Sequence, residues 1–197
     1  LEDVQTLNEW ALAGKLPFTK ISYGVLPLIA SQYQMLPAGG ALGMGVGPLL
    51  VTTPAWLAAN GNTTPKTVII PGINTTAHLL FSWAYPQVTE KRFAVFHDIE
   101  DAILRGEADA GVIIHENRFT YQQKGLVALC DLGNLWEQQL QVPIPLGGIA
   151  VRKDVPLAVA LQVNALIQQS IAYSWRNYPN ISNYVQCHAQ AMEPTVM

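Results

Sequence analysis

Apolar residues recur along this chain with two alternating periods, and the switches between them lay out its elements. Val4, Leu7, Trp10 and Ala11 fall three and four apart with Gly14 behind them, which predicts an amphipathic helix over 1–13 and a glycine stop. A β-favouring run at 18–22 follows, then a helical pattern at 25–35, a glycine-rich stretch at 39–47 and an apolar strand at 49–52. Residues 54–65 are rich in Ala, Asn, Gly and Thr; their weak periodicity reads as a surface excursion or a crossing between lobes.

Strands at 67–70, 93–96 and 111–114 then alternate with helices at 75–85 and 99–104, the second of them with Asp98 placed to cap it and Gly106 to end it. The pattern continues through a strand at 126–129, a helix around Trp136, a turn-rich stretch at 142–148, a strand at 149–152, a long helix at 156–173 and a last one near 184–192. This order predicts an α/β protein of mostly parallel sheets with helices on both faces. Its two proline-containing crossings predict a discontinuous first lobe, 1–53 with 148–197, a crossing loop at 54–65 and a second lobe at 66–147. The chain opens on a helix without an initiator Met or leader, and it stops just past an amphipathic stretch. Both ends therefore read as cut.

Composition narrows the class. The 197 residues are 50% hydrophobic and 13% charged, which predicts a globular core rather than a disordered chain. Net charge is -3 and the eleven Lys and Arg are scattered, so neither nucleic acid nor an anionic membrane is an expected partner. No apolar run approaches the roughly twenty residues that span a bilayer. Cys130 and Cys187 lack CxxC spacing, which fits a reducing, cytoplasmic compartment without a disulfide framework.

The sharpest chemical feature is the strand Gly111-Val112-Ile113-Ile114, which ends in His115 and Glu116. Ligands of open parallel sheets sit outside the carboxyl ends of the strands, and a histidine delivered there can exchange a proton near neutral pH. It can equally cap a loop by hydrogen bonding. Glu116 either orients the ring or faces water, and Arg118, Thr120 and Tyr121 could add polar contacts. A second feature is Pro71-Gly72-Ile73-Asn74-Thr75-Thr76-Ala77: Asn74 or Thr75 can cap the following helix, and the first-turn N–H groups of Thr76 and Ala77 can hold an anion such as a carboxylate.

Gly43, Gly45 and Gly47 have GxGxG spacing and lead into Pro48 and a strand. With no helix to follow, they make no dinucleotide site and serve a tight turn or a close approach. His78, His97 and His188 stand apart, no HExxH or Cys/His cluster predicts a metal, and no serine sits in a GxSxG elbow. The five Trp residues are expected mainly in the core.

Several segments form an ordered set: Leu1-Glu2-Asp3-Val4 with Leu7-Asn8, Thr19-Lys20-Ile21-Ser22-Tyr23, Ala41-Leu42-Gly43 with Gly47-Pro48, Pro71-Gly72 with Thr75-Thr76-Ala77, Ile114-His115-Glu116 with Arg118-Phe119-Thr120-Tyr121, and Pro143-Ile144-Pro145-Leu146-Gly147. In order and spacing the set resembles the 1,4-dihydroxy-6-naphthoate synthases of the futalosine route to menaquinone, most specifically in His-Glu-x-Arg-Phe-Thr-Tyr. The resemblance implies a two-lobed type II periplasmic-binding-protein-like fold put to catalytic use. It also implies conversion of cyclic dehypoxanthine futalosine to the dihydroxynaphthoate, with release of a sugar-derived fragment and without metal or nucleotide cofactor. By the same resemblance His115 is the proton acceptor, and Lys20, Ile21 and Ser22 contact substrate from one segment and Thr76 and Ala77 from another. Tyr121 and Leu146 line the cleft.

The family's pattern opens with a further strand and a Pro/Asn/Asp-containing loop and closes with a helical tail; this sequence is expected to be short of both. A non-catalytic solute-binding protein of the same fold is the rival from another class, since fold does not fix function. The sister chorismate dehydratase is a nearer rival, and the Ile-His-Glu-x-Arg-Phe-Thr-Tyr segment argues against it.

Overall fold

A computed structural model describes residues 2–114 and 117–180. In chain order the elements are α1 (Val4–Leu12), β1 (Phe18–Ser22), α2 (Leu26–Ile29), β2 (Tyr33–Met35), β3 (Ala41–Gly43), β4 (Leu49–Thr52), α3 (Pro54–Asn60), β5 (Thr67–Ile70), α4 (Thr76–Ala84), β6 (Glu90–Phe93), α5 (Ile99–Leu104), β7 (Ala110–Ile113), α6 (Asn117–Thr120), β8 (Val127–Asp131), α7 (Leu132–Leu140), β9 (Ile144–Arg152) and α8 (Leu157–Asn177). Four helices start where a side chain replaces a missing backbone partner: Asp3 accepts from Gln5 N, Thr53 from Trp56 N, Thr75 from His78 N and Asp131 from Asn134 N.

The first sheet is built around β9. β1 lies along one side of it, antiparallel from Phe18 opposite Val151 to Ser22 opposite Gly147. β2 and β3 lie end to end along the other side, also antiparallel, opposite 150–152 and 144–147. α1 covers one face, where Ala11 packs with Ile21, Val25, Ile29, Tyr33 and Ala150. α8 covers the other, where Ala160, Val163 and Ile167 meet Val151 and Leu36.

The second sheet has the order β6-β5-β7-β4-β8. β5 pairs parallel with β6 and β7, whereas β4 runs against both of its neighbours. Strict alternation sends Leu50, Val68, Ile70 and Val112 toward α4 and α7 and Leu49, Val51, Ile69 and Ile113 toward α5. Gly111 lets α5 come close, because a Cβ there would stand 2.6 Å from both Ile99 and Ile103 side chains. In each sheet one strand, β9 or β4, opposes the direction of the rest; every pair of the first sheet is therefore antiparallel, and the second sheet is mixed.

Several boundaries differ from the sequence expectation. The helix expected over 25–35 is only α2, and the chain then turns into β2, because Tyr33 gains more as a buried strand residue whose hydroxyl donates to Leu16 O at 2.7 Å. The strand expected at 93–96 sits earlier as β6, the register that pairs Thr67 with Glu90 and Ile70 with Phe93. β9 extends through the stretch expected to be turns, with Pro145 opposite the irregular β3 edge. Asp98 occupies the N-cap of α5 but makes no side-chain cap bond there. Trp175 is exposed rather than core, and the helix expected at 184–192 lies outside the described residues.

The lobe crossings move as well. β4, expected in the first lobe, belongs to the second sheet, so the chain passes between sheets through 44–48 and returns through 141–143. All four β4 residues are buried, which suits an interior strand between β7 and β8. Residues 54–65 hold α3 instead of a crossing, with Thr53 capping, Pro54 leading and Trp56 Nε1 donating to Asp109 Oδ1 at 3.1 Å.

Candidate active site

Segments of both sheets meet at the first turn of α4. β1 ends at Ser22, whose N–H donates to Asn8 Oδ1 at 2.9 Å, and Asn8 Nδ2 in turn donates to Asn74 O at 2.7 Å. Asn8 is fully buried on α1, so a single amide joins the end of β1 to the loop before α4. Gln5, one turn earlier, accepts from Asn74 N at 3.3 Å. Gly24 then lies directly against that loop: a Cβ on it would stand 2.6 Å from Thr75 O. Only glycine permits this approach.

From the other side, Thr76 Oγ1 donates to Pro145 O at 2.8 Å and lies 3.2 Å from Leu146 O. Ser22, Thr76, Ala77 and Leu146, expected at the site from sequence, are thereby brought together. Thr75 caps α4 and also donates to Gly72 O at 2.8 Å, and the helical ladder opens at Leu79 N to Thr75 O. The N–H groups of Thr76 and Ala77 precede that ladder, in the position where a helix holds an anion.

Other expected residues take different places. Ile21 points into the core under α1 with no exposure, so only its backbone is available to a ligand, and Lys20, next to it, is exposed. Tyr121 packs on the α5 face of the second sheet with Ile99, Ile103 and Leu126, opposite the face that carries α4. It does not join Thr76 and Leu146. Arg118 is engaged structurally: Nη1 donates to Gly47 O and Nη2 to Asp131 Oδ2, both at 2.6 Å. His115 and Glu116 lie outside the described residues; β7 ends at Ile113, and Ile114 leads toward them.

β5 and β7 are parallel neighbours, Ile69 opposite Gly111. The loop to α4 and the chain leading to His115 therefore leave the same edge of the sheet, where ligands of such sheets bind. Nearby, His78 sits in the first turn of α4 with Nδ1 2.7 Å from Ile73 O. Burial pushes its imidazole below the ordinary 6.5, the Ile73 carbonyl opposes that shift, and Lys91 adds to it. Burial also raises the Cys130 thiol, which makes it a poor nucleophile. No helix among the described residues is long and apolar enough to cross a membrane.

Asn8, Gln5 and Gly24 were not singled out from sequence as site-building residues. Asn8 carried one usable signal: it falls between Val4 and Ala11 on the apolar stripe of its helix, where an amide needs buried partners.

Comparison with known proteins supplies a context for this geometry. A family model described as menaquinone biosynthesis matches residues 1–197. A 1,4-dihydroxy-6-naphtoate synthase of Thermus thermophilus is 40% identical over 197 residues, covering 100% of this chain and 71% of that protein. The enzyme of the same name from Streptomyces coelicolor is 39% identical over 199 residues, covering 98% and 69%. The crystal structure of a protein from Archaeoglobus fulgidus superposes with a TM-score of 0.84 at 30% identity, covering 98% of this chain and 71% of its own. The substrate-binding protein of an amino acid ABC transporter, 14% identical with a TM-score of 0.52 over 85% and 70% of the two chains, shares the fold alone.

Proposed function

The chain belongs to the menaquinone-biosynthesis family, and from that membership we propose that it is a 1,4-dihydroxy-6-naphthoate synthase, a lyase that converts cyclic dehypoxanthine futalosine to 1,4-dihydroxy-6-naphthoate. The observation that carries the reading is the adjacency of β5 and β7, which lets a carboxylate-holding helix start and a proton-transfer histidine serve one substrate.

In this reading the substrate carboxylate sits on the N–H groups of Thr76 and Ala77, at the positive end of α4, with Ser22 and Leu146 on either side. Lys20 and the Ile21 backbone contact the substrate from β1. His115 accepts a proton as the sugar-derived fragment leaves, a role typically contributing about 10²–10⁴-fold. Bringing the two sheets together over the substrate excludes water and fixes it against the imidazole. The reaction as proposed uses the chain's own groups, without metal or nucleotide cofactor, in the cytoplasm.

The test is turnover of cyclic dehypoxanthine futalosine by the full-length protein and by His115→Ala, with the naphthoate product followed by chromatography. Product from the parent, with a loss of at least roughly a hundredfold in the variant, supports the synthase and the role of His115. A folded parent that binds the compound and yields no product favours a solute-binding protein, whose fold this chain shares.

A further inference from the structure

Among the described residues Glu100 is the only carboxylate with no solvent exposure. It lies in the first turn of α5, and its two oxygens are used unequally. Oε2 accepts from Asn117 Nδ2 and from Lys124 Nζ, each at 2.6 Å, while Oε1 is buried without a hydrogen-bond partner. Taking a carboxylate out of water is costly, and an apolar side chain of similar volume commonly fills such a place as well or better. Packing alone therefore does not account for an acid between Ile99 and Ala102.

What the carboxylate does hold is one stretch of chain by both ends. Asn117 opens α6 and Lys124 closes the turn after it, and Tyr121 N to Asn117 O and Leu126 N to Tyr121 O stiffen the span between. Asn117 is itself buried and stands two residues after His115. Glu100 is outside the arrangement of Ser22, Thr76 and Leu146: α5 packs on the opposite face of the sheet from α4.

We propose that Glu100 is a positioning residue for proton transfer: through Asn117 it fixes the backbone that follows His115, and Lys124 supplies the countercharge and secures the far end of the span. The inference rests on the synthase reading with His115 as proton acceptor. A residue that places the acceptor without touching the carboxylate subsite affects the chemical step and leaves substrate binding alone.

The experiment measures kcat and KM for the full-length parent, Glu100→Gln, Glu100→Ala, Asn117→Ala and the Glu100→Ala/Asn117→Ala double variant, each checked for folding by its thermal transition. Glu100→Gln keeps a carbonyl for Asn117 and should hold kcat within about threefold; Glu100→Ala and Asn117→Ala should each lose about tenfold or more in kcat with KM within about twofold. The double variant should fall no further than either single, because both changes cut the same link. If Glu100→Ala does not fold, Asn117→Ala still tests the link, since Lys124 continues to pair the carboxylate. Parental kcat in folded Asn117→Ala, or a rise in KM equal to the loss of kcat, overturns this inference alone. A folded parent with no turnover overturns the synthase reading and this inference with it.

Discussion

Gly47 and Gly133 meet backbone on backbone, so that a Cβ on either would fall on the Cα of the other. The contact joins the segment that passes between the sheets to the first turn of α7. Around it Leu132 N donates to Pro48 O at 3.0 Å, and Arg118 binds Gly47 O and Asp131 together. Gly43, Gly45 and Gly47, which mimic a dinucleotide motif in sequence, serve here as the close approach and turn, with Gly45 at φ 69°. Gly133→Ala should cost at least about 2 kcal/mol, since a methyl group has only rigid backbone to displace. Gly106→Ala, where the Cβ meets open space but φ is 73°, should cost about 1 kcal/mol from backbone strain alone. Urea midpoints of the two variants check the order, and equal losses would show that the contact relaxes freely.

Asn8→Leu should lose about 3 kcal/mol of stability. It leaves Ser22 N–H and Asn74 C=O in a buried place without their partners, each at about 1–3 kcal/mol. Where the folded variant can be prepared, it should also bind substrate more weakly, because the amide holds β1 and the α4 loop together. Isothermal titration of the full-length protein reads the second effect, and unchanged affinity would remove Asn8 from the site.

Thr76→Val keeps the shape of the side chain and removes the donor to Pro145 O. A cost of about 1 kcal/mol in stability is expected, with a several-fold rise in KM and little change in kcat if the α4 turn binds the substrate carboxylate in ground and transition states alike. A loss confined to kcat would place Thr76 at the reacting centre instead.

Asp109 gives the protein an acid-sensitive joint. Burial opposes ionisation of its carboxyl, but bonds from Thr67 N and Lys66 N and from Trp56 Nε1 outweigh it and hold the pKa below the ordinary 3.8. A group whose folded pKa is depressed contributes stability in full above its unfolded pKa and loses it as pH falls through the folded one. Stability of the parent should thus decline as pH falls below the ordinary carboxylate range of about 4, and Asp109→Asn should flatten that slope while lowering stability at pH 7. Denaturant titrations at several pH values test this; parallel slopes for the two proteins would contradict it.

The units legible in the sequence were those settled by neighbouring residues. The turn from Pro71 to Ala77 carries its own strand end, cap and helix, and the helix duly starts behind Thr75. Tyr33 could not be read in this way, because its strand exists only through pairing with 150–152, more than a hundred residues on. The sheet that takes up β4 is hidden from the sequence for the same reason: Leu49, Leu50 and Val51 reveal burial but not which sheet buries them. Ser22, Thr76, Ala77 and Leu146 lie where segments of both sheets meet, while Ile21 and Tyr121 turn to the packing on which their apolar parts gain most. Glu100 gave no signal at all, since an acid in a helix's first turn reads as an ordinary partner of the helix dipole.

β9 has a consequence for the order of events as the chain is made. Among the described residues β1, β2 and β3 do not pair with one another, and each is held through β9. By the time Leu140 is synthesised, every strand of the second sheet exists and can pair. The three earlier strands still wait with open edges, the state in which a nascent chain is most exposed to wrong partners. Emergence of nine residues, 144–152, then gives each of these strands its partner. The sheet whose strands begin earlier in this sequence is thus completed later.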